Sequence, residues 1–387
     1  VILPFTFKQL PKIIFGAGAR NEICKTVIQY GSTTLLITGG ASFKQSVYFK
    51  ELSAQFEKLQ VDVNFATIND EPSPEVVNQI VGTSRKKGNI ASVVAIGGGS
   101  VLDAGKAISA MLTEEGSVEE YLEGVGSKSP SGSTLPFIAV PTTSGTGSET
   151  TANAVLSIVG PKGYKTSLRH DNYIPDVAII DPELTISCPP SLTGNCGMDC
   201  FTQLVEAYLS TNSSQLTDSF ALQGIEAISR SLQLTYNEGD NVQARSDLSY
   251  ATMLSGIVLA NAGLGTVHGF ASAVGGVIPV PHGVVCGTLM APTNRVTLQR
   301  LREQASDNIA LYKYSQLGKL FSRDLHKSES WYQDHFIHTL ERLSNDLDIP
   351  NFSKYNITDK QLDTIITATG NKYNPIQLAD HDLRSII

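Results

Sequence analysis

The chain has no Cys-x-x-Cys pair, no lysine or arginine run longer than Arg85-Lys86-Lys87, a single tryptophan, and no Asp, Glu, Lys or Arg from Leu248 through Asn294. Each absence excludes something. Five cysteines without close pairing (Cys24, Cys188, Cys196, Cys200 and Cys286) argue against a disulfide framework, and the spacing of Cys196 and Cys200 lacks the second pair that a zinc ribbon needs. They read as buried, inert thiols in a reducing compartment, so a cytoplasmic location is expected. A formal charge of -8 with no basic tract leaves nothing to grip a polyanion, which excludes nucleic acid as the expected partner. The uncharged stretch is long enough to raise the question of a membrane, but repeated glycines, Pro279, Pro281 and His268 interrupt it, and it reads as buried helices and turns. The opening VILPFTFKQLPKIIFGAGA has no basic segment ahead of a long apolar core and reads as strands and a glycine turn rather than a leader.

What is present is an ordinary globular composition, 41% hydrophobic and 17% charged over 387 residues, more chain than one core usually serves. In the first half, TTLLITGG, SVVAIGGGS, TLPFIAVPTTSGTGS and DVAIIDP are short β-branched runs ending in small residues, as buried strands leading into loops do. Helical periodicity fills the gaps, in NEICKTVIQYG, FKELSAQFEKLQ, PEVVNQIVGTSRKKG and LDAGKAISAMLTEEG. The alternation predicts a Rossmann-like α/β domain over 1–185, with a parallel sheet that binds ligands at the carboxyl ends of its strands. GGGSVLDAGK places glycines between a strand and a helix, where backbone N–H groups can approach a phosphate, and PTTSGTGSETT is a second loop of small donors. Two such loops at one end of a sheet point to a nucleotide. After the strand TTLLIT come Gly39 and Gly40 with Ser42 and Lys44 nearby, where dinucleotide folds often carry an acidic residue for the ribose. Room and positive charge there favour NADP over NAD.

From about residue 186 to 387 every periodic segment reads as helix, which predicts an all-helical second domain. On its first helix Asp199 and Gln203 lie one turn apart on a common face. His268 and His282 come from the uncharged stretch, where local counter-charges are missing. A lone buried histidine usually bonds a backbone carbonyl, but with Asp199 and Gln203 the pair would complete an O/O/N/N cage for a divalent ion.

These motifs resemble the iron-dependent (group III) alcohol dehydrogenases. The likeness runs in the family's order from KIIFGAGA through GGGSVLDAGK, PTTSGTGSETT, AIIDPELT and GMDCFTQLVEAY to VHGFASAVGGVIPVPHG, and so covers most of the chain. It implies a dehydroquinate synthase-like fold, a nucleotide-binding α/β domain followed by a helical one, often assembled as a dimer or larger. Residue by residue it implies that Gly98, Gly99, Ser100 and Asp103 meet the cofactor's pyrophosphate and ribose. Thr142, Thr143 and Thr146 would line the same cofactor, with Lys165 near its nicotinamide, and Asp199, Gln203, His268 and His282 are the metal positions. Gly39 stands where NAD-preferring members often have Asp.

Two departures bear on the chemistry. The family's usual His is Gln203 here, which exchanges an imidazole nitrogen for a weaker amide oxygen, and another usual His is Ser272, which removes a proton-relay imidazole. Three readings follow. The first is a metal-assisted dehydrogenase or reductase of small or medium alcohols and aldehydes using NAD(P)H, with Fe(II), Zn(II) or another transition ion. The second is a metal-free reductase with His268 and His282 as acid and hydrogen-bond donor, and the third a catalytically silent nucleotide-binding protein. The first is preferred. Phe201, Val267, Phe270 and Ile278 are expected to make the cleft apolar, and His326, His335, His338 and His381 to lie at the surface.

Overall fold

The computed structural model describes every residue except 1, 3, 161, 162 and 325. In chain order the first half runs β1 (Lys12–Phe15), α1 (Ile23–Tyr30), β2 (Thr33–Thr38), α2 (Val47–Lys58), β3 (Asp62–Thr67), α3 (Pro74–Lys87), β4 (Ser92–Gly97), α4 (Gly99–Met111), β5 (Phe137–Pro141), β6 (Asn153–Ile158), β7 (Tyr164–Arg169) and β8 (Val177–Ile180). Six strands form one parallel sheet in the order β1-β8-β5-β4-β2-β3. β4 and β5 are buried along their whole length, as near-continuous apolar strands covered on both faces must be. Period-two geometry sorts their neighbour β2. Leu35 and Ile37 join the core beneath α3 and α4, while Leu36 faces the opposite core with Ile23, Val27, Leu52 and Phe56 of α1 and α2. Ser46 and Ser73 cap α2 and α3, accepting from the amides of Phe49 and Val76, and Pro74 opens α3 where its missing N–H costs nothing.

Two pieces of this half were not legible in advance. β3 is an edge strand with Phe65 exposed, so its DVNFAT segment lacks the apolar run that marks a buried strand. β6 and β7 pair antiparallel as a separate hairpin, and only Ala154, Leu156 and Leu168 sink into the core.

After Ile180 the described residues contain no strand. The helices are α5 (Pro190–Leu209), α6 (Gln215–Asn237), α7 (Val242–Ala262), α8 (Thr266–Val277), α9 (His282–Gln304), α10 (Ile309–Phe321), α11 (Glu329–Asp346), α12 (Asp359–Ala368) and α13 (Asp380–Ile386). α5 runs through the middle of them, with Met198, Phe201, Leu204 and Val205 in a core shared with α6, α7 and α9. The uncharged stretch is folded back on itself. α7 stops at Gly263, whose φ of 71° suits glycine, and α8 leaves at 96° to it. Among the described residues no single helix is long and apolar enough to cross a membrane, and Leu254, Val258, Phe270 and Val274 are instead packed against neighbouring helices. A short turn through Pro279 and Pro281 then starts α9 at His282, which sets the second histidine against the first.

Candidate metal and cofactor site

α5 presents three polar side chains from one face in a setting otherwise apolar. Asp199, Gln203 and Glu206 follow the i, i+4, i+7 spacing of a single stripe, and all three are buried. His268, at the start of α8, is clamped between two of them. Its Nε2 lies 3.2 Å from Asp199 Oδ1 and its Nδ1 lies 2.6 Å from Glu206 Oε2. The other Glu206 oxygen accepts from the Val267 amide at 2.6 Å, so this carboxylate ties both the backbone and the ring of the α8 start to α5. His282 reaches the same place from α9, its Nε2 3.6 Å from Asp199 Oδ1. The histidines' expected poverty of counter-charge is therefore corrected. Their own segment has none, but α5 brings two carboxylates across to them.

Electrostatics leaves Asp199 and His282 in forms that suit a cation, whereas His268 must give up a proton to bind one. Burial works against the Asp199 carboxylate, but the two histidines outweigh it and hold its pKa at about 2. Burial lowers His282 to about 4, with Lys165 and His268 adding to the effect, so its imidazole is neutral with a lone pair to give. For His268, burial is opposed by Cys286, Asp199 and Glu206, and the net direction is upward.

The structure adds Cys286, which the sequence reading set aside as inert. It lies one turn after His282 on α9, fully buried, with Sγ 3.8 Å from His268 Nε2. Ligand atoms of Asp199, His268, His282 and Cys286 all fall within 4.8 Å of one another. Gln203 donates from Nε2 to Asp199 Oδ1 at 3.3 Å, which leaves its Oε1 buried with no partner; Nδ1 of His282 is likewise unpartnered. Converging O, N, N and S donors beside an orphaned amide oxygen fit a divalent transition ion. The spacing Asp199, Gln203, Glu206 was the available signal for Glu206; for Cys286 it was the i, i+4 relation to His282.

The other expected residues fall into three places. The glycine loops abut at the α4 start: a β-carbon at Gly98 would stand 3.3 Å from Thr143 Oγ1, and one at Gly99 only 2.5 Å from Thr146 Cγ2. The Thr142 amide donates to the Gly97 carbonyl at 2.9 Å, and Cys188 Sγ donates to the Thr142 carbonyl at 3.2 Å. No side chain caps α4, so the amides of Gly99 and Ser100 remain open for an anion. Asp103 is spent within the protein, accepting from Ser148 Oγ at 2.5 Å and from the Val155 amide at 3.2 Å, which locks the second loop and β6 to α4.

Gly39 and Ser42 follow β2, and a β-carbon at Gly39 would make only ordinary contact, 3.8 Å from Val101. Lys44 donates to Thr67 at the end of β3. Lys165, on β7, donates to Glu71 Oε1 at 2.7 Å, and its stem lies against Gly275 of α8, where a β-carbon would be 2.9 Å from Cδ. Burial opposes the Glu71 charge, yet Lys165 and a bond from Ser157 hold it below the usual carboxylate range. Ser272 is exposed on α8.

The apolar lining expected of the cleft is corrected. Phe201 is fully buried against Phe321 and Phe336, at ring distances of 5.7 and 6.4 Å, because two residues beyond Asp199 the helix has turned to its opposite side. Val267, Phe270 and Ile278 are core residues beneath α9. Among the four outlying histidines, His326, His338 and His381 are exposed, while His335 is half-buried and stacked on Trp331 at 4.7 Å.

Comparison with known proteins identifies the family. The family model described as iron-containing alcohol dehydrogenase matches residues 11–182, and that of the Fe-containing alcohol dehydrogenase family, C-terminal, matches 193–387. Long-chain-alcohol dehydrogenase 1 of Geobacillus thermodenitrificans is 32% identical over 378 residues, covering 96% of this chain and 93% of that protein. 1,3-Propanediol dehydrogenase of Citrobacter freundii is 35% identical over 344 residues, covering 87% and 84%. The solved structure of an alcohol dehydrogenase from Oenococcus oeni superposes with a TM-score of 0.86 at 27% identity, covering 99% of each chain. The chain belongs to the iron-containing alcohol dehydrogenase family and is an oxidoreductase of the alcohol dehydrogenase and aldehyde reductase class.

Proposed function

We propose that the protein interconverts a small or medium aldehyde and its alcohol with NAD(P)H, NADP(H) being favoured over NAD(H), at a divalent metal held by Asp199, His268 and His282 with Gln203 beside them. The observation that carries this reading is the convergence of Nε2 from both histidines on one Asp199 oxygen, with Glu206 behind His268. When bound, a divalent ion supplies Lewis acidity toward the substrate oxygen and the nicotinamide supplies or takes the hydride.

The chain's own groups do the rest. Asp199 brings a full negative charge and His282 a neutral nitrogen without first losing a proton at neutral pH. Glu206 fixes the His268 ring so that Nε2 faces Asp199. Gly98, Gly99 and Ser100 let the cofactor's pyrophosphate approach the α4 amides, with Thr142, Thr143 and Thr146 beside it and Asp103 holding the two loops in register. Lys165 sits at the seam between β7 and α8 near His282, positioned for the nicotinamide end. Open space at Gly39, with Ser42 and Lys44 nearby, supports NADP. With Ser272 exposed, water can supply the proton that a histidine relay would carry. The division of labour between residues 1–185 for the cofactor and 186–387 for the metal and substrate is part of the same proposal.

The test is metal content of protein purified anaerobically without added metal, beside His268→Ala, with butyraldehyde-dependent NADPH oxidation measured on both. About one transition ion per chain is expected, lost together with activity in the variant. A metal-free protein that reduces the aldehyde and gains nothing from Fe(II) or Zn(II) would overturn the proposal.

A further inference from the structure

Resting on the metal site proposed above, we propose that Cys286 supplies a thiolate ligand that makes up for the imidazole absent at position 203. Gln203 offers that site only a neutral amide, whose nitrogen is turned to Asp199 and whose oxygen is buried, unpartnered, in a side chain 3% exposed. Cys286 comes from another helix. α9 begins at His282, and the next turn puts Cys286 on the same face, its Sγ 3.8 Å from His268 Nε2 and within 4.8 Å of an Asp199 carboxylate oxygen.

A thiol that only filled space would sit among apolar neighbours, as Val284, Val285 and Leu289 of the same helix do. The Cys286 sulfur, at the edge of that apolar cluster, also faces polar groups, with its ligand atom no more than 4.8 Å from each of three other donors. Binding exchanges the S–H bond for an S–metal bond and releases the proton to solvent; no oxidant or reductant is needed. Asp199 and the thiolate together then balance the double charge of the ion, which Asp199 and a neutral amide cannot. A sulfur donor also makes the site softer, moving its preference from Fe(II) toward Zn(II) and Co(II).

Co(II) is the probe, because thiolate ligation gives it an intense sulfur-to-metal absorption in the near ultraviolet that nitrogen and oxygen ligands do not. The full chain, stripped of metal, is titrated with Co(II) under anaerobic conditions as wild type, Cys286→Ser, Gln203→Ala and the double variant Cys188→Ser/Cys196→Ser. Expected is one Co(II) per wild-type chain with the sulfur band. The band should persist in Gln203→Ala and in the double variant, and vanish in Cys286→Ser, which should bind at least about tenfold more weakly. Near-native thermal unfolding of Cys286→Ser shows that the band was lost through the ligand and not the fold; if that variant is unstable, Cys286→Ala takes its place. One Co(II) per chain without the band, or a band that survives Cys286→Ser, overturns thiolate ligation and leaves the metal site standing. Failure of wild type to bind Co(II) overturns both.

Discussion

The Glu206 carboxylate lies 2.6 Å from Nδ1 of His268 and accepts the Val267 amide through its other oxygen, so one buried side chain of α5 fixes the ring and the backbone of α8 together. A histidine ligand is only as good as its orientation, and groups in this supporting position change metal affinity about 10- to 100-fold. Glu206→Gln keeps an acceptor for the amide and discards the charge. Its affinity for Zn(II) in a chelator competition should fall about 10- to 100-fold while the unfolding temperature moves little. Unchanged affinity would show that Glu206 serves the helix contact alone.

The proposed preference for NADP can be tested at the end of β2. Gly39 has room for a β-carbon, and a carboxylate there would meet a 2′-phosphate. Gly39→Asp should raise KM for NADPH by at least about tenfold, equivalent to about 1.4 kcal/mol, and leave KM for NADH the same or lower. Steady-state kinetics with both cofactors decides it; equal changes for the two would remove the 2′-phosphate from this position.

The two glycine loops touch so closely that Gly99 leaves no space for a methyl group, with Thr146 Cγ2 and Oγ1 only 2.5 and 2.7 Å from where it would be. Gly99→Ala must push the second loop away, at a cost of about 1–3 kcal/mol in stability. Cofactor binding, followed by quenching of protein fluorescence, should weaken with it, whereas metal content should not change. A Gly99→Ala protein with wild-type cofactor affinity would mean that the α4 start is not the phosphate site.

Glu149 carries a pH dependence outside the metal cluster. It is buried with Oε1 unpartnered, and burial pushes its pKa up to about 7 despite a backbone bond and the nearby Lys106. The folded protein therefore keeps a proton that the unfolded chain releases near its ordinary value of 4.5. Folding stability is fully supported below that value and declines as pH rises to about 7, by at most about 1.4 kcal/mol per pH unit. Glu149→Gln stays neutral, so its unfolding temperature should fall less than that of wild type between about pH 5 and about pH 8. Parallel profiles would sink this assignment.

The sequence by itself determined the pattern of the fold and the identity of most of the chemistry. Buried parallel strands announce themselves because a strand covered on both faces has to be apolar throughout, as in SVVAIG and FIAVP. Glycine loops announce themselves because a side chain at residue 99 would collide with Thr146 and one at residue 98 would press on Thr143. The edge strand β3 and the β6–β7 hairpin escaped, since a strand half open to solvent is under no such requirement. Tertiary structure alone decided which side chains meet. Asp199, His268 and His282 lie on three helices, and the rotation of each helix about its axis is set by packing, not by the residues at the site. The same rotations bring Glu206 behind His268 and Cys286 beside it, and turn Phe201 away into the core. A sequence can name donors; only the packed helices fix the distances that make them one site.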